Sequence, residues 1–118
     1  MFDISIHIAY ISYMNAKTLS QIEKNIEIIK QQLVTIQPMR PGSLTRQYRI
    51  PKDKIGAYYQ LSYTHKMKSR TEYVRPEFVD TIEEQISEYK RFRELVDQWV
   101  ELSIEHSKVQ MAIAKKAK

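Results

Sequence analysis

The fold of this chain is decided by residues 43–74, which read SLTRQYRIPKDKIGAYYQLSYTHKMKSRTEYV. Polar and apolar side chains alternate along 43–50 and again along 57–64, and this two-residue period is typical of half-buried β-strands. Residues 51–54 form a turn sequence that begins with proline, and residues 65–67 make a tight connection to a run rich in β-formers at 68–74. The pattern predicts three consecutive antiparallel strands.

An amphipathic helix is predicted on each side of this sheet. Apolar residues recur every three or four positions through 17–36 and again from Ile82 to Ile113, with Pro38 and Pro41 ending the first segment and Pro76 opening the second. The first series is Leu19, Ile22, Ile26, Ile29, Leu33 and Ile36. The second is Ile82, Ile86, Tyr89, Phe92, Val96, Trp99, Leu102, His106, Val109 and Ile113. The predicted class is α+β: an N-terminal helix, a three-stranded antiparallel β-meander and a long C-terminal helix. We expect the helices to pair as an antiparallel coiled coil or through a dimer.

Residues 1–13 allow two interpretations. Their alternation of apolar and polar side chains predicts an edge strand. Met14 begins Met-Asn-Ala-Lys-Thr-Leu, so the alternative is an extension from an upstream start codon. In either case residues 14–118 are predicted to form a single helix–β-meander–long helix domain, which their length allows.

Composition excludes several classes of function. The chain has no cysteine, and therefore no disulfide and no thiolate metal site, and its histidines (His7, His65 and His106) lack ligand spacing. It has two glycines, too few for a phosphate-binding loop, and no convincing catalytic pair. No apolar run approaches the roughly 18–20 residues of a membrane span. We expect a soluble cytoplasmic protein that is not an enzyme and needs no metal or other cofactor.

Residues 40–75 hold nine of the nineteen Lys and Arg residues, only two of the fourteen acids, and five tyrosines. Basic side chains neutralise phosphates and tyrosine rings stack on bases, so this part of a basic protein (net charge +5) predicts nucleic-acid binding. The candidate contact residues are Arg40, Arg46, Arg49, Lys52, Lys54, Tyr58, Lys66, Lys68, Arg70 and Arg75. Tyr58 and Arg70 are the strongest candidates, because alternation is expected to place both opposite the core face. The structural alternative is that the tyrosines simply pack in the sheet, as expected of Tyr59 and Tyr63 beside Leu61.

The C-terminal lysines Lys108, Lys115, Lys116 and Lys118 also allow two interpretations. They could form a flexible arm that grips a nucleic-acid backbone. They could equally complete a helix whose C-terminal dipole favours positive charge.

Four segments carry a resemblance to a known family. They are Met39-Arg-Pro-Gly-Ser-Leu, Gly56-Ala-Tyr-Tyr-Gln-Leu-Ser-Tyr-Thr, Lys68-Ser-Arg-Thr-Glu-Tyr-Val and Tyr89-Lys-Arg-Phe-Arg-Glu-Leu. Over about residues 38–102 the chain resembles a family of short uncharacterised prokaryotic proteins encountered near transposases and other mobile elements. The family implies a mobile-element role and no particular activity. Where its members carry zinc-binding cysteines, this chain has Arg49-Ile-Pro-Lys-Asp-Lys-Ile-Gly, which cannot hold zinc.

Taken together, these features predict a non-enzymatic nucleic-acid-binding protein that serves a mobile element as an accessory or regulatory factor. We expect DNA rather than RNA as its partner, sequence-tolerant binding, a homodimer, and no membrane association. The alternative is a protein-interaction adaptor that acts through its long amphipathic helices and recruits an acidic or helical protein partner.

Overall fold

The structure, a computed structural model, describes the backbone of residues 4–116 and the side chains of residues 16–116. Helix α1 (Ile4–Val34) precedes three strands, β1 (Ser43–Ile50), β2 (Ile55–His65) and β3 (Lys68–Val74), and helix α2 (Val79–Lys116) follows them. Single turns of 3-10 helix lie at Pro51–Asp53 and Pro76–Phe78. The strands form one antiparallel sheet in the order β1-β2-β3. The predicted α+β fold is confirmed, and the bounds of β1 and β3 are those predicted.

The chain divides into two compact units. The sheet unit, Ile36–Arg93, contains the three strands and the first part of α2. The helical unit, Met1–Thr35 with Glu94–Lys118, contains α1 and the rest of α2. Each unit has buried apolar residues of its own: Leu61 and Ile86 in the sheet unit, and Ile22, Ile29 and Leu95 in the helical unit.

Leu61, in the middle of β2, is the most deeply buried side chain of the sheet unit and has no exposed surface. It lies opposite Leu44 of β1, which borders one cavity together with Ile86 of α2. The segment that leads into β1 is held against α2 by two hydrogen bonds. The Arg40 amide donates to the Gln85 carbonyl (3.2 Å) and the Gln37 amide to the Glu88 carboxylate (2.8 Å).

The strand register gives the sheet two chemically different faces, because residues opposite each other in an antiparallel pair project from the same face. The inner face carries Leu61. It consists of Leu44, Arg46, Tyr48 and Ile50, of Ile55, Ala57, Tyr59, Leu61, Tyr63 and His65, and of Lys68, Arg70, Glu72 and Val74. The outer face consists of Ser43, Thr45, Gln47 and Arg49, of Gly56, Tyr58, Gln60, Ser62 and Thr64, and of Ser69, Thr71 and Tyr73.

A two-residue turn joins β2 to β3 and fixes how they pair. Lys66 and Met67 both have positive φ, at 50° and 65°. That combination is the one a two-residue type I′ hairpin turn requires, although Asn-Gly is the preferred sequence for it. Because the turn has two residues, His65 faces Lys68, and the pairs Tyr63–Arg70 and Gln60–Tyr73 follow along the ladder.

The edge strand predicted within residues 1–13 is wrong where the structure describes it, because the chain is helical from Ile4 onward. Residues 1–3 lie outside the described part, and the start-codon alternative stays a prediction. Two features of the sequence explain the helix. Ile4, Ile8 and Ile11 fit the helical spacing as well as the strand period, and no glycine or proline stands between Ile4 and Val34 to end a helix.

The residues of the two predicted apolar series lie on α1 and α2, except Ile36, which follows the end of α1 at Val34. All members from Leu19 to Ile36 and from Ile82 to Ile113 are buried or half-buried. In the helical unit, Lys30 lies 5.4 Å from the centre of the Trp99 ring, and His106 Nε2 lies 3.0 Å from Glu23 Oε1. The earlier residue of α1, Glu23, contacts the later residue of α2, His106, and Lys30 contacts Trp99. The two helices therefore run in opposite directions at these contacts. Within the described residues, neither helix has an apolar stretch long enough to cross a membrane.

Candidate nucleic-acid interface

The ten predicted contact residues do not form one surface. Arg46, Lys68 and Arg70 belong to the inner face, whereas Arg49 and Tyr58 belong to the outer face. The prediction that Arg70 lies opposite the core face is therefore wrong. The turn at Lys66 and Met67 pairs Arg70 with Tyr63, and this places it on the face of Leu61. Arg70 is still exposed, because it stands near the end of an edge strand.

The basic residues also separate along the strands. Lys52 and Lys54 lie in the turn between β1 and β2, close to Arg49. Lys66 and Lys68 lie at the opposite end of the sheet. The eleven residues of β2 separate the two ends by roughly 34 Å, at about 3.4 Å per residue step. These lysines and Arg49 therefore form two groups, one at each end, and Arg46 lies between them opposite Tyr59.

Arg40 is engaged within the sheet unit. Its guanidinium lies 3.7 Å from the Glu72 carboxylate and 5.0 Å from the centre of the Tyr63 ring. Its side chain is only 27% exposed, and its Nε is buried without a hydrogen-bond partner among the described residues. An arginine held by an acid and an aromatic ring stabilises the unit and offers little to a ligand. We therefore leave Arg40 out of the candidate interface.

The outer face carries an exposed aromatic pair. The rings of Tyr58 and Tyr73 lie 5.4 Å apart between centroids and are inclined by 55°. Tyr58 is half-buried and Tyr73 is 78% exposed, so Tyr73 offers most of its ring to solvent. Two tilted rings on an open strand surface are the kind of contact on which an unpaired base can stack.

Four basic residues lie level with Tyr58 or beyond it toward the β1–β2 turn, and we call them the basic rim: Arg49, Lys52, Lys54 and Arg75. Arg49 lies across the strand pair from Gly56, where an added Cβ would approach its side chain to 3.1 Å. Arg75 follows Val74, the partner of Tyr59, so it stands at the end of the ladder near Tyr58. Its contact with Glu77 is an exposed 3.6 Å pair, which water and phosphate readily replace.

The rest of the outer face is polar and uncharged. Thr64 and Ser69 hydroxyls lie 2.9 Å apart, and Ser62 and Thr71 hydroxyls 3.5 Å apart. The Gln47 amide donates to the Thr45 hydroxyl at 3.3 Å. Hydroxyl and amide groups can both donate and accept hydrogen bonds, so this surface suits base edges and sugars of different sequence. We use the name tyrosine platform for Tyr58 and Tyr73 with their polar neighbours Gln47 and Gln60.

Tyr73, Gln47 and Gln60 are not among the contact residues that the sequence predicts. The signal for Tyr73 was present, because a two-residue turn at Lys66 and Met67 by itself sets Gln60 opposite Tyr73. Counting residues outward from that turn places Tyr73 on the same face of the sheet as Tyr58, and Arg70 on the same face as Tyr63. For the glutamines no charge or motif gives a signal, and only the completed sheet brings them beside the rings.

Two further observations bear on chemistry at this site. Among the described residues, no three His, Asp or Glu side chains lie together in a way that could hold a metal ion. No protein-family model, curated protein or solved structure matches the chain. The family suggested by the sequence therefore stays a prediction, and the function has to be inferred from the residues themselves.

Proposed function

We propose that the tyrosine platform and the basic rim bind single-stranded nucleic acid without strong sequence preference. The observation that carries this proposal is the Tyr58–Tyr73 ring pair, in which Tyr73 is 78% exposed, on a face where Arg49 is the charged residue of the strands. Bases of a single strand are free to stack on such rings, whereas bases of a duplex are already stacked on each other. A single strand is therefore the better partner for this face.

The basic rim supplies the second half of the interaction. The rings lie near the middle of the sheet and the four cations lie beside them toward the β1–β2 turn, so the cations can contact successive phosphates while the bases lie on the platform. Neutralising about four phosphates of a single strand gives a salt slope near −3. We therefore expect the affinity to fall about 50-fold when the salt concentration rises from about 50 to 200 mM.

The experiment that tests the proposal is a fluorescence-anisotropy titration of labelled oligothymidine with the wild-type protein and two variants. Tyr73→Ala removes an exposed ring and should weaken binding about 5- to 150-fold, which corresponds to about 1–3 kcal/mol of base stacking. Tyr73→Phe keeps the ring and is the matched control, so it should bind nearly as the wild type does. If Tyr73→Ala binds as tightly as Tyr73→Phe, the platform is not the binding site.

Duplex DNA and single-stranded RNA complete the titration. DNA is the expected partner, so single-stranded DNA should bind more tightly than duplex DNA and more tightly than single-stranded RNA. The role in a mobile element stays a prediction, since nothing in the geometry of the site bears on it. The alternative adaptor function, which acts through the long helices, also stays a prediction.

A further inference from the structure

The helical unit exposes a second apolar stripe on α2, apart from the series that packs inside it. The exposed apolar members of this stripe are Val100, Ile104 and Met111, with Ser107 between them, and half-buried Val96 lies where this stripe meets the packed series; the five recur every three or four residues. Val100, Ile104 and Met111 are 52%, 51% and 62% exposed. These residues border an open groove of about 610 Å³. At about 100° per residue, the stripe lies roughly 140° around the helix from the buried seam.

Charged residues follow one edge of this stripe in a specific order. Asp97 and Glu101 flank its first half, whereas Lys108 and Lys115 flank its second half, and all four are exposed. Helical geometry places the four on the same edge, within about 40° of each other. The wider segment has the same polarity, because residues 94–105 contain four acids and no base while residues 106–116 contain three lysines and no acid.

We propose that a second copy of this chain docks on the stripe, with the two α2 helices antiparallel. In an antiparallel pair each edge meets the same edge of the partner in the opposite direction. The acids of one copy then lie beside the lysines of the other, and two-fold symmetry produces this match twice. A parallel pair sets the acids of both copies at the same level and gains no such match. The reversal of charge within one helix is what favours a second copy over an unrelated helix.

This inference goes beyond the proposed nucleic-acid binding and does not depend on it. Every residue of the stripe and of its charged edge lies between 94 and 116, in the helical unit. The tyrosine platform and the basic rim lie in the sheet unit. Failure of one proposal therefore leaves the other standing.

Sedimentation velocity over a range of micromolar concentrations tests the stripe. As the concentration increases, the apparent mass of the wild-type protein should rise from the 14.1 kDa of a monomer to twice that value. Ile104→Glu places a carboxylate in the middle of the stripe and should weaken self-association at least tenfold. Gln98→Glu adds the same charge at an exposed position on another side of α2 and should dimerise as the wild type does. A wild-type protein that stays monomeric, or an Ile104→Glu variant that dimerises normally, overturns the proposal.

A charge exchange tests the antiparallel direction. One variant carries Asp97→Lys with Glu101→Lys, so its edge is entirely basic, and the other carries Lys108→Glu with Lys115→Glu, so its edge is entirely acidic. The affinity of self-association of each variant should be at least tenfold weaker than that of the wild type. An equimolar mixture of the two variants should form a heterodimer. All four positions are exposed, and circular dichroism of each variant checks that the helices are intact. If either variant self-associates as the wild type does, or if the mixture stays monomeric, the antiparallel pairing is wrong.

Discussion

Gly42 lies where the chain enters β1, and its surroundings leave no room for a side chain. Its φ of 151° lies in a region that residues with a Cβ rarely adopt, and an added Cβ would stand only 2.5 Å from Cδ1 of Leu61. Leu61 cannot easily move away, because it is fully buried. The close approach of Gly42 therefore fixes how the chain enters the sheet beside its most buried residue.

We predict that Gly42→Ala destabilises the protein by about 1–3 kcal/mol, the usual range for overpacking a well-filled site. Urea denaturation followed by circular dichroism measures the change. Ser43→Ala is the matched control, because Ser43 is exposed on the outer face and should change stability by less than about 0.5 kcal/mol. Equal stability of the two variants would contradict the steric role of Gly42.

Individual residues were the hardest features to predict from the sequence. From the sequence, Pro41 and Gly42 predict only the end of a helix, since the close approach of Gly42 to Leu61 depends on the completed sheet. Alternation correctly separated Tyr58 from Tyr59 within β2, but it does not relate one strand to the next. The face on which Arg70 lies depends on the number of residues in the turn before β3, so alternation within β3 alone predicts the wrong face.

At the scale of elements, periodicity was informative where a proline marked an end, whereas β2 extends past the predicted 57–64 to Ile55 and His65 and includes Gly56. β1 and β3 have the predicted bounds, and α2 follows the short turn opened by Pro76. The start of α1 has no such marker, so the short period-two pattern at the N-terminus predicts a strand there instead of a helix. Once a helix has formed, each further residue adds a hydrogen bond, and the helix continues back to Ile4.

The turn between β2 and β3 yields a prediction at this scale. Lys66 and Met67 hold left-handed conformations, which cost residues with a Cβ roughly 1–2 kcal/mol each. Replacing the pair by Lys66→Asn with Met67→Gly supplies the preferred type I′ sequence and should stabilise the protein by about 1–2 kcal/mol. The midpoint of urea denaturation should rise accordingly.

Lys66→Ala is the control for this turn. It removes the same charge as Lys66→Asn without supplying a residue that favours positive φ, so it should give no gain in stability. A gain in Lys66→Ala equal to that of the double variant would mean that charge, rather than backbone conformation, limits the stability of the turn.

At the scale of the whole molecule, the question is whether net charge or a defined site attracts nucleic acid. The chain carries a formal charge of +5, with an excess of seven cations in residues 40–75 alone. Two double variants each remove two positive charges from the sheet unit. One carries Arg49→Gln and Arg75→Gln, and the other carries Lys66→Gln and Lys68→Gln. Attraction by net charge alone treats these two variants alike, whereas a site at one end of the sheet distinguishes them.

We predict that the Arg49→Gln, Arg75→Gln variant lowers the magnitude of the salt slope by about half, to near 1.4, because two of about four phosphate contacts are lost. The Lys66→Gln, Lys68→Gln variant should keep a slope close to −3. Titrations of oligothymidine at several salt concentrations give both values. The same slope in both variants would show that binding follows net charge and not the basic rim.

The most direct test of the central claim is the mapping of amide chemical-shift changes by NMR as unlabelled oligothymidine is added to isotope-labelled protein. We predict that the largest changes cluster around the tyrosine platform and the basic rim, at residues 45–49, 52–60 and 71–75. Amides near Lys66, and those of residues 94–116, should change little. Changes concentrated at the Lys66 end of the sheet or along α2 would contradict the account and would place the nucleic acid elsewhere on the chain.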